Sequence, residues 1–167
     1  MTRKYEIKKF SNLDLSYFAG LIDSDGSITI IKSIKRSVTS NTIYYSYTPW
    51  IQIAQIDHQA LRELASKFDV GSYTNITQNK KIFKRVIFTG KKCYKFLKLI
   101  YKYLRIKKQQ GTCLLQFEKI VKSKPNLYKI KINKDKIKVK NKYISAREKI
   151  VVKIRKLNGK HKLPLDK

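Results

Sequence analysis

Two carboxylates two residues apart, Asp23 and Asp25, end the short-side-chain and apolar run Phe18-Ala19-Gly20-Leu21-Ile22 and are followed at once by Gly26. The spacing of Leu13, Leu15, Phe18, Ala19, Leu21 and Ile22 predicts a helix opened by Ser11, with Asp14 three residues on as its capping-box partner, and ended by Gly26. Both acids then sit at the carboxyl end of that helix, where the backbone dipole already presents negative charge. A cation brought to that end would resolve the conflict. Ala19 and Gly20 are nearly bare in mid-helix, where glycine costs about 1 kcal/mol against alanine; close approach of a second backbone would justify that cost. The plain alternative is a turn, and an arbitrary Asp-x-Asp-Gly is more often a turn than a site. A calcium loop of the EF-hand kind is excluded: glycine falls at the fourth position rather than the sixth, and Ile34 stands where the closing glutamate belongs.

The charge of the whole chain says what such a site would face. Lys and Arg number 39 against 11 Asp and Glu, a formal charge of +28 in 167 residues. Self-repulsion at that level opposes compaction and points to a polyanionic partner. A basic tail on an unrelated domain does not fit, because no acid occurs between Asp69 and Glu118 and the charge runs through the body. Anionic lipid fits poorly too, since the basic residues interleave with strand-like and helix-like patterns rather than forming one amphipathic anchor. The start of the chain has no apolar core of signal-peptide length, and no apolar run approaches a membrane span. Two cysteines, Cys93 and Cys113, make neither a disulfide framework nor a zinc site, and both fall on apolar helical faces as inert thiols. An intracellular, nucleic-acid-binding protein of one folded domain is expected, with no membrane partner.

The elements that must position the acids follow in a regular order. After the first helix, residues 27–37 read as a strand with Ile28 and Ile30 alternating against Thr29, and residues 43–56 as a second long strand beyond a polar hairpin. Leu61, Leu64, Ala65 and Phe68 make one stripe of an amphipathic helix. Gly71 opens a shorter strand to about Gln78, Asn79-Lys80-Lys81 turns, and Phe83 to Thr89 returns. Cys93, Phe96, Leu97, Ile100 and Leu104 mark a third helix, and Leu114, Phe117 and Val121 a fourth that stops before Pro125. Ile130, Ile132, Ile137 and Val139 alternate with lysines around Asn133-Lys134-Asp135, which predicts a small basic hairpin. A final helix is expected from Ser145, boxed by Glu148, to Gly159. Residues 1–125 would form the core and 126–167 a basic extension packing on the same domain.

Phe18 to Gly26 resembles the LAGLIDADG motif, with Phe18 in place of Leu and Ser24 in place of Ala. The element order also resembles the αββαββα core of single-motif LAGLIDADG homing endonucleases from Ser11 to about Val121. The fold implied is α+β, with a saddle-shaped antiparallel four-stranded sheet, plus the C-terminal basic hairpin and helix. In that family the last motif acid binds a divalent metal, Mg²⁺ or Mn²⁺, at a scissile phosphate. Asp25 is the matching position, the main-chain carbonyl of Ser24 matches a secondary ligand, and Asp23 supports the helix end and interface. Gln55, at the end of Ile51-Gln52-Ile53-Ala54-Gln55, matches a water-positioning residue, and Lys107 matches a lysine after the third helix that steadies charge on the phosphate. His58, Gln59 and Arg62 stand near a further basic pocket position. Hydrolysis of a phosphodiester needs a hydroxide-like nucleophile and charge neutralisation, which a hard cation on oxygen ligands supplies.

Only one acid pair of this kind occurs, so one chain offers one active carboxylate and a double-strand cut needs two. The resemblance therefore implies a homodimer with Ala19, Gly20 and Asp23 at the interface, cutting a long, nearly palindromic double-stranded DNA site. Keeping Ile28 and Ile30 in the core turns Thr29, Ile31, Ser33 and Lys35 to DNA, and the parity of Gln52 selects Tyr44, Ser46, Thr48 and Trp50. Tyr44 and Trp50 could equally pack under the hairpin. Thr74 and Arg85 are the candidates on the shorter strands, and Lys138 and Lys140 would hold phosphates. Two other functions share these features: an RNA maturase that assists splicing of its intron RNA, and a basic nucleic-acid-binding protein without catalysis. An organelle (mitochondrion or chloroplast) and a prokaryotic cytoplasm both suit the resemblance.

Overall fold

The computed structural model of the protein describes residues 10–36, 43–56, 58–68, 72–123, 130–131 and 137–159. Its elements are α1 (Asn12–Asp25), β1 (Gly26–Arg36), β2 (Ile43–Gln55), α2 (His58–Lys67), β3 (Ser72–Gln78), β4 (Lys81–Thr89), α3 (Gly90–Ile100), a 3₁₀ turn (Tyr101–Tyr103), α4 (Lys108–Ser123), β5 (Ile130–Lys131) and α5 (Ile137–Leu157). The architecture is α+β, with the four long strands in the order β1-β2-β4-β3. The expected helix–strand–strand order is thus present from α1 to α3. Among the described residues, no helix is long and apolar enough to cross a membrane.

The chain divides into two compact units, residues 1–27 with 51–108 and residues 28–50 with 109–167. In the first unit the core is aromatic. Phe88 of β4 stacks on Phe96 of α3 with centroids 4.0 Å apart, and Phe68 meets Phe96 edge-on at 4.9 Å. Phe18 of α1 meets the edge of Phe68 and is buried. Strands present alternate residues to opposite faces, so the parity of Phe88 and Val86 marks the helix-covered face of β4. β3 pairs antiparallel with β4 and sets Thr74 directly opposite Arg85, on the other face. The turn between them is carried by Asn79 and Lys80, both with positive φ, of 50° and 62°. Asparagine tolerates that region better than most residues.

The second unit packs Ile28 and Ile30 of β1 and Tyr47 of β2 with Cys113, Leu114, Phe117 and Val121 of α4 and Val151 and Ile154 of α5 as its buried residues. Tyr47 lies 6.2 Å from Phe117, centroid to centroid. Asn158, just past α5, donates to the carbonyl of Ile28 at 2.9 Å, and Gln110 of α4 donates to the carbonyl of Leu157 at 3.2 Å. Both cysteines are buried free thiols, as expected, and burial pushes each thiol above its ordinary range.

The C-terminal segment departs from its expectation. Ile130 and Lys131 do form a strand, paired antiparallel with Tyr45 and Tyr44 of β2. Ile137 and Val139, expected in the second arm of a basic hairpin, lie instead in the first turn of α5, and Ile132 lies outside the described residues. Ser145 is inside that helix rather than its cap. The reason is visible in the longer period: Ile137, Ile144 and Val151 recur every seven residues, a helical stripe that outlasts a two-residue alternation.

Candidate active site

The carboxyl end of α1 is built by three local devices. At the amino end, Ser11 accepts from the Asp14 amide at 3.0 Å while Asp14 accepts from the Ser11 amide at 3.2 Å, so the predicted capping box is formed. Along the helix, Leu15, Phe18, Ala19 and Ile22 are buried. At the exit, a Cβ on Gly26 would lie 2.6 Å from the Ile22 Cα and 2.8 Å from its carbonyl oxygen. Only glycine permits this tight passage from helix to strand, although its φ of −82° is ordinary. The glycine is required by approach, not by conformation. Asp25 is thereby delivered, exposed, at the last position of the helix.

The three residues expected to act in catalysis, Asp25, Gln55 and Lys107, meet here beside Ser24 and Asp23. Gln55, the last residue of β2, donates its side-chain amide to the Asp25 carboxylate at 2.9 Å. Lys107, in the turn before α4, points its ammonium at the final carbonyls of α1: Ile22 at 2.8 Å, Asp23 at 2.6 Å and Ser24 at 3.2 Å. α1 has no basic residue in its own last turn, so Lys107 supplies the countercharge that the helix dipole wants at that end. Burial lowers the Lys107 pKa, and the carboxylates of Asp23 and Asp25 pull the other way.

Asp23 faces differently from Asp25. Its carboxylate accepts from the backbone amides of Arg105 at 2.7 Å and Lys107 at 2.8 Å, fixing the turn that carries Lys107. The two segments therefore hold each other reciprocally: α1 lends a carboxylate to the turn, and the turn lends an ammonium to α1. Residue types along the chain carry no signal for this pairing, since its partners are 82 and 84 positions apart.

The residues expected at an interface separate in the structure. Ala19 is fully buried in its own chain, so its small size serves internal packing. Gly20 is exposed, and a Cβ there would meet nothing within 4 Å. With it on the outer side of α1 stand Leu13, 78% exposed, and Tyr17, 51% exposed. Positions 13, 17, 20 and 24 recur at helical spacing and make one open, largely uncharged stripe ending beside Asp25.

The strand candidates keep the expected alternation. Ile28 and Ile30 are buried, while Thr29 and Ser33 are half-buried and Ile31 and Lys35 exposed on the alternate positions. On β2, Tyr47, Pro49, Ile51 and Ile53 are buried and Ser46, Thr48, Trp50 and Gln52 are half-buried between them. Thr74 is exposed and Arg85 half-buried. The side chains of Tyr44, His58, Lys138 and Lys140 lie outside the described residues; Gln59 and Arg62 are exposed on α2.

A second ionic cluster has no counterpart among the sequence expectations. Glu148 of α5 accepts from the Tyr47 hydroxyl and pairs with Lys32 of β1 at 2.9 Å, and the Lys32 ammonium lies 4.1 Å from the Tyr45 ring centroid. Burial and the neighbouring carboxylate push the Tyr47 pKa well above its ordinary value.

No protein-family model and no curated protein matches the sequence. Solved structures do match in fold. The chain aligns with the homing endonuclease I-CvuI in complex with its target in the presence of calcium at 20% identity, covering 92% of this chain and 87% of that one, with a TM-score of 0.64. An archaeal intron-encoded homing endonuclease complexed with DNA aligns at 15% identity over 93% and 90%, TM-score 0.68. The homing endonuclease I-TnaI aligns at 14% over 87% and 94%, TM-score 0.54.

Proposed function

We propose that this chain, which carries the fold of the LAGLIDADG homing endonucleases, is itself a site-specific DNA endonuclease making a double-strand cut in a long, nearly palindromic site. The observation that carries the reading is the meeting of Asp25, Gln55 and Lys107 at the exposed end of α1. The motif and the fold are two independent supports.

The residues present fit a hard divalent cation. Among the described residues no cluster of three His, Cys, Asp or Glu exists, so a protein-only cage of side chains is not on offer there. Asp25 and the Ser24 carbonyl offer oxygen at the helix's negative end. Mg²⁺ commonly takes one or two carboxylates and completes its shell with phosphate and water. When bound, such an ion lowers the pKa of its water and neutralises charge on the phosphate. Asp25 would hold it, Gln55 would orient a water through the amide now given to Asp25, and Lys107 would face the scissile phosphate.

A homodimer completes the reading. The open stripe Leu13, Tyr17, Gly20 is apolar, lies on the motif helix, and has room for a second backbone at Gly20. Two copies would bring two Asp25 carboxylates to two strands. Thr29, Ile31, Ser33 and Lys35, then Ser46, Thr48, Trp50 and Gln52, and Thr74 with Arg85 would read the major groove from the strand faces.

Cleavage of candidate DNA sites, drawn from the sequence flanking the gene's insertion point, tests this directly. With Mg²⁺ the wild-type protein should leave double-strand ends. Asp25→Asn should lose at least about 10²–10³-fold of that rate, the scale on which removing one transition-state interaction acts, while binding DNA as before. Equal cutting by the variant would overturn the assignment. Tight binding to intron RNA without any cutting would favour the maturase reading instead.

A further inference from the structure

An ammonium has three hydrogens to donate, and Lys107 places all three on α1, at the carbonyls of Ile22, Asp23 and Ser24. None is left over for a phosphate. One of the three acceptors, the Ser24 carbonyl, is the oxygen that the proposed nuclease site offers to a divalent ion, and at 3.2 Å it is the longest of the three hydrogen bonds. The turn carrying Lys107 is meanwhile clamped from the other side by Asp23, through the amides of residues 105 and 107. Its backbone is fixed while its ammonium is held only by carbonyl oxygens.

We propose that Lys107 is the resident cation of the α1 carboxyl end, and that a divalent ion enters by taking the Ser24 carbonyl from it. The exchange frees one N–H of Lys107 and leaves the ammonium and the ion as like charges sharing one helix end. The freed donor is turned outward, where a phosphate oxygen of DNA would receive it. Metal entry and the arming of Lys107 are therefore a single event. Without DNA the released donor has only water to accept it and the two like charges are not offset by a phosphate, so metal binds more weakly until DNA arrives. No covalent bond changes in this step; one hydrogen bond is traded for one metal–oxygen bond and one charge-assisted hydrogen bond. The proposal rests on the nuclease reading of Asp25 and adds an order of events to it.

The test is calcium binding to the DNA-free, full chain, followed by calorimetry and by the calcium-induced shift in melting temperature. Lys107→Met removes charge and donors. Lys107→Gln removes the charge but keeps amide donors for the α1 carbonyls, so it remains informative where the methionine variant does not fold. Both variants should bind Ca²⁺ at least about tenfold more tightly than wild type, and adding Asp25→Asn should cancel the gain. Neutralising the exposed neighbour, Lys108→Met, should change affinity by no more than about twofold, because solvent screens exposed charge. Equal Ca²⁺ affinity in wild type and the Lys107→Gln variant would overturn the exchange, as would an equal gain from Lys108→Met. Those results would leave the nuclease reading standing if wild type cuts DNA with Mg²⁺. Failure of that cutting with every divalent metal would instead remove the reading underneath.

Discussion

Two of the lysine–carboxylate clusters among the described residues are of similar composition, and they are finished differently. In the second unit Lys32, Glu148 and Tyr47 satisfy one another: the carboxylate takes a hydroxyl and an ammonium, and all three sit between β1, β2 and α5 with little exposure. In the first unit Lys107 and Asp23 are also tied down, yet Asp25 beside them stays exposed, with Gln55 its one side-chain donor among the described residues. A cluster whose groups all face inward stabilises a fold. One that leaves a carboxylate oxygen facing solvent, at the negative end of a helix, is held ready for something outside the chain. Composition does not separate these cases; the count of uncommitted oxygens does.

The largest expected effect on stability comes from breaking the closed cluster. Glu148→Ala leaves the Lys32 ammonium and the Tyr47 hydroxyl without their shared acceptor, at about 2–3 kcal/mol for losing a charged hydrogen-bond partner in a shielded place. Chemical denaturation should show that loss while the rate of DNA cleavage per folded molecule is kept. Asp25→Asn should do the reverse, with cleavage lost and the unfolding midpoint unmoved or raised, because it relieves an acid at a helix carboxyl end. Parallel loss of stability in both variants would erase the distinction between the clusters.

The two clusters are not equally legible in the sequence, and the reason is range. Asp25 is legible because its neighbours in the chain, from Phe18 to Gly26, carry the pattern. Gln55 and Lys107 come with the motif-bearing resemblance, and the structure brings both to α1. The capping box of Ser11 and Asp14 and the alternation of β1 and β2 are local, and each is present. Glu148 reads only as a cap partner for Ser145, since nothing within a few residues says that its partners are Lys32 and Tyr47. The same blindness affects Asp23, whose partners are amides of a distant turn, and Ala19, whose bareness suggests an external neighbour and serves an internal one. In the C-terminal segment two periods compete, and α5 follows the longer one.

A smaller effect separates the outer side of α1 from its inner side. Gly20→Leu adds a side chain where the chain itself has open space and replaces a poor helix former inside α1, so the isolated protomer should keep or raise its melting temperature. If a second copy packs there, overpacking should weaken assembly by about 1–3 kcal/mol, visible in sedimentation as a shift toward monomer. Ala19→Leu should instead destabilise the protomer, since Ala19 is fully buried. A wild-type protein that is monomeric at micromolar concentration with and without DNA would break the dimer argument.

The closed cluster should also announce itself at alkaline pH. The Tyr47 phenol is held protonated by burial and by Glu148, so its folded pKa lies above the unfolded value of about 10. Stability from this group is fully present below that unfolded value and is lost as pH rises through it toward the folded one. Tyr47→Phe should flatten that part of the stability curve; an unchanged alkaline limb would deny Tyr47 its share. The effect is confined to the second unit's cluster and leaves Asp25 chemistry at neutral pH untouched.

The smallest expected effects concern recognition, and they compare strand with C-terminal helix. Gln52 stands on the alternate face of β2 from the buried Ile51 and Ile53, so in the proposed complex it is placed to meet a base edge. Gln52→Ala should relax preference at one symmetric pair of positions, at roughly 1–3 kcal/mol for each bidentate base pairing removed. Lys138 and Lys140 belong to the first turn of α5, and a lysine acts on phosphate as a point charge without sequence information. Replacing both with alanine should weaken binding to all sequences alike and reduce the slope of log affinity against log salt by about 0.9 for each phosphate no longer neutralised. One experiment reads both: each variant is titrated against a library of single-base-substituted sites at several salt concentrations. A change of base preference from the lysine pair, with none from Gln52, would move recognition from the strands to α5. A lowered salt slope from Gln52→Ala would show the glutamine on the backbone rather than in the groove, and the parity argument for Thr48 and Trp50 would fall with it, because all three share one face of one strand.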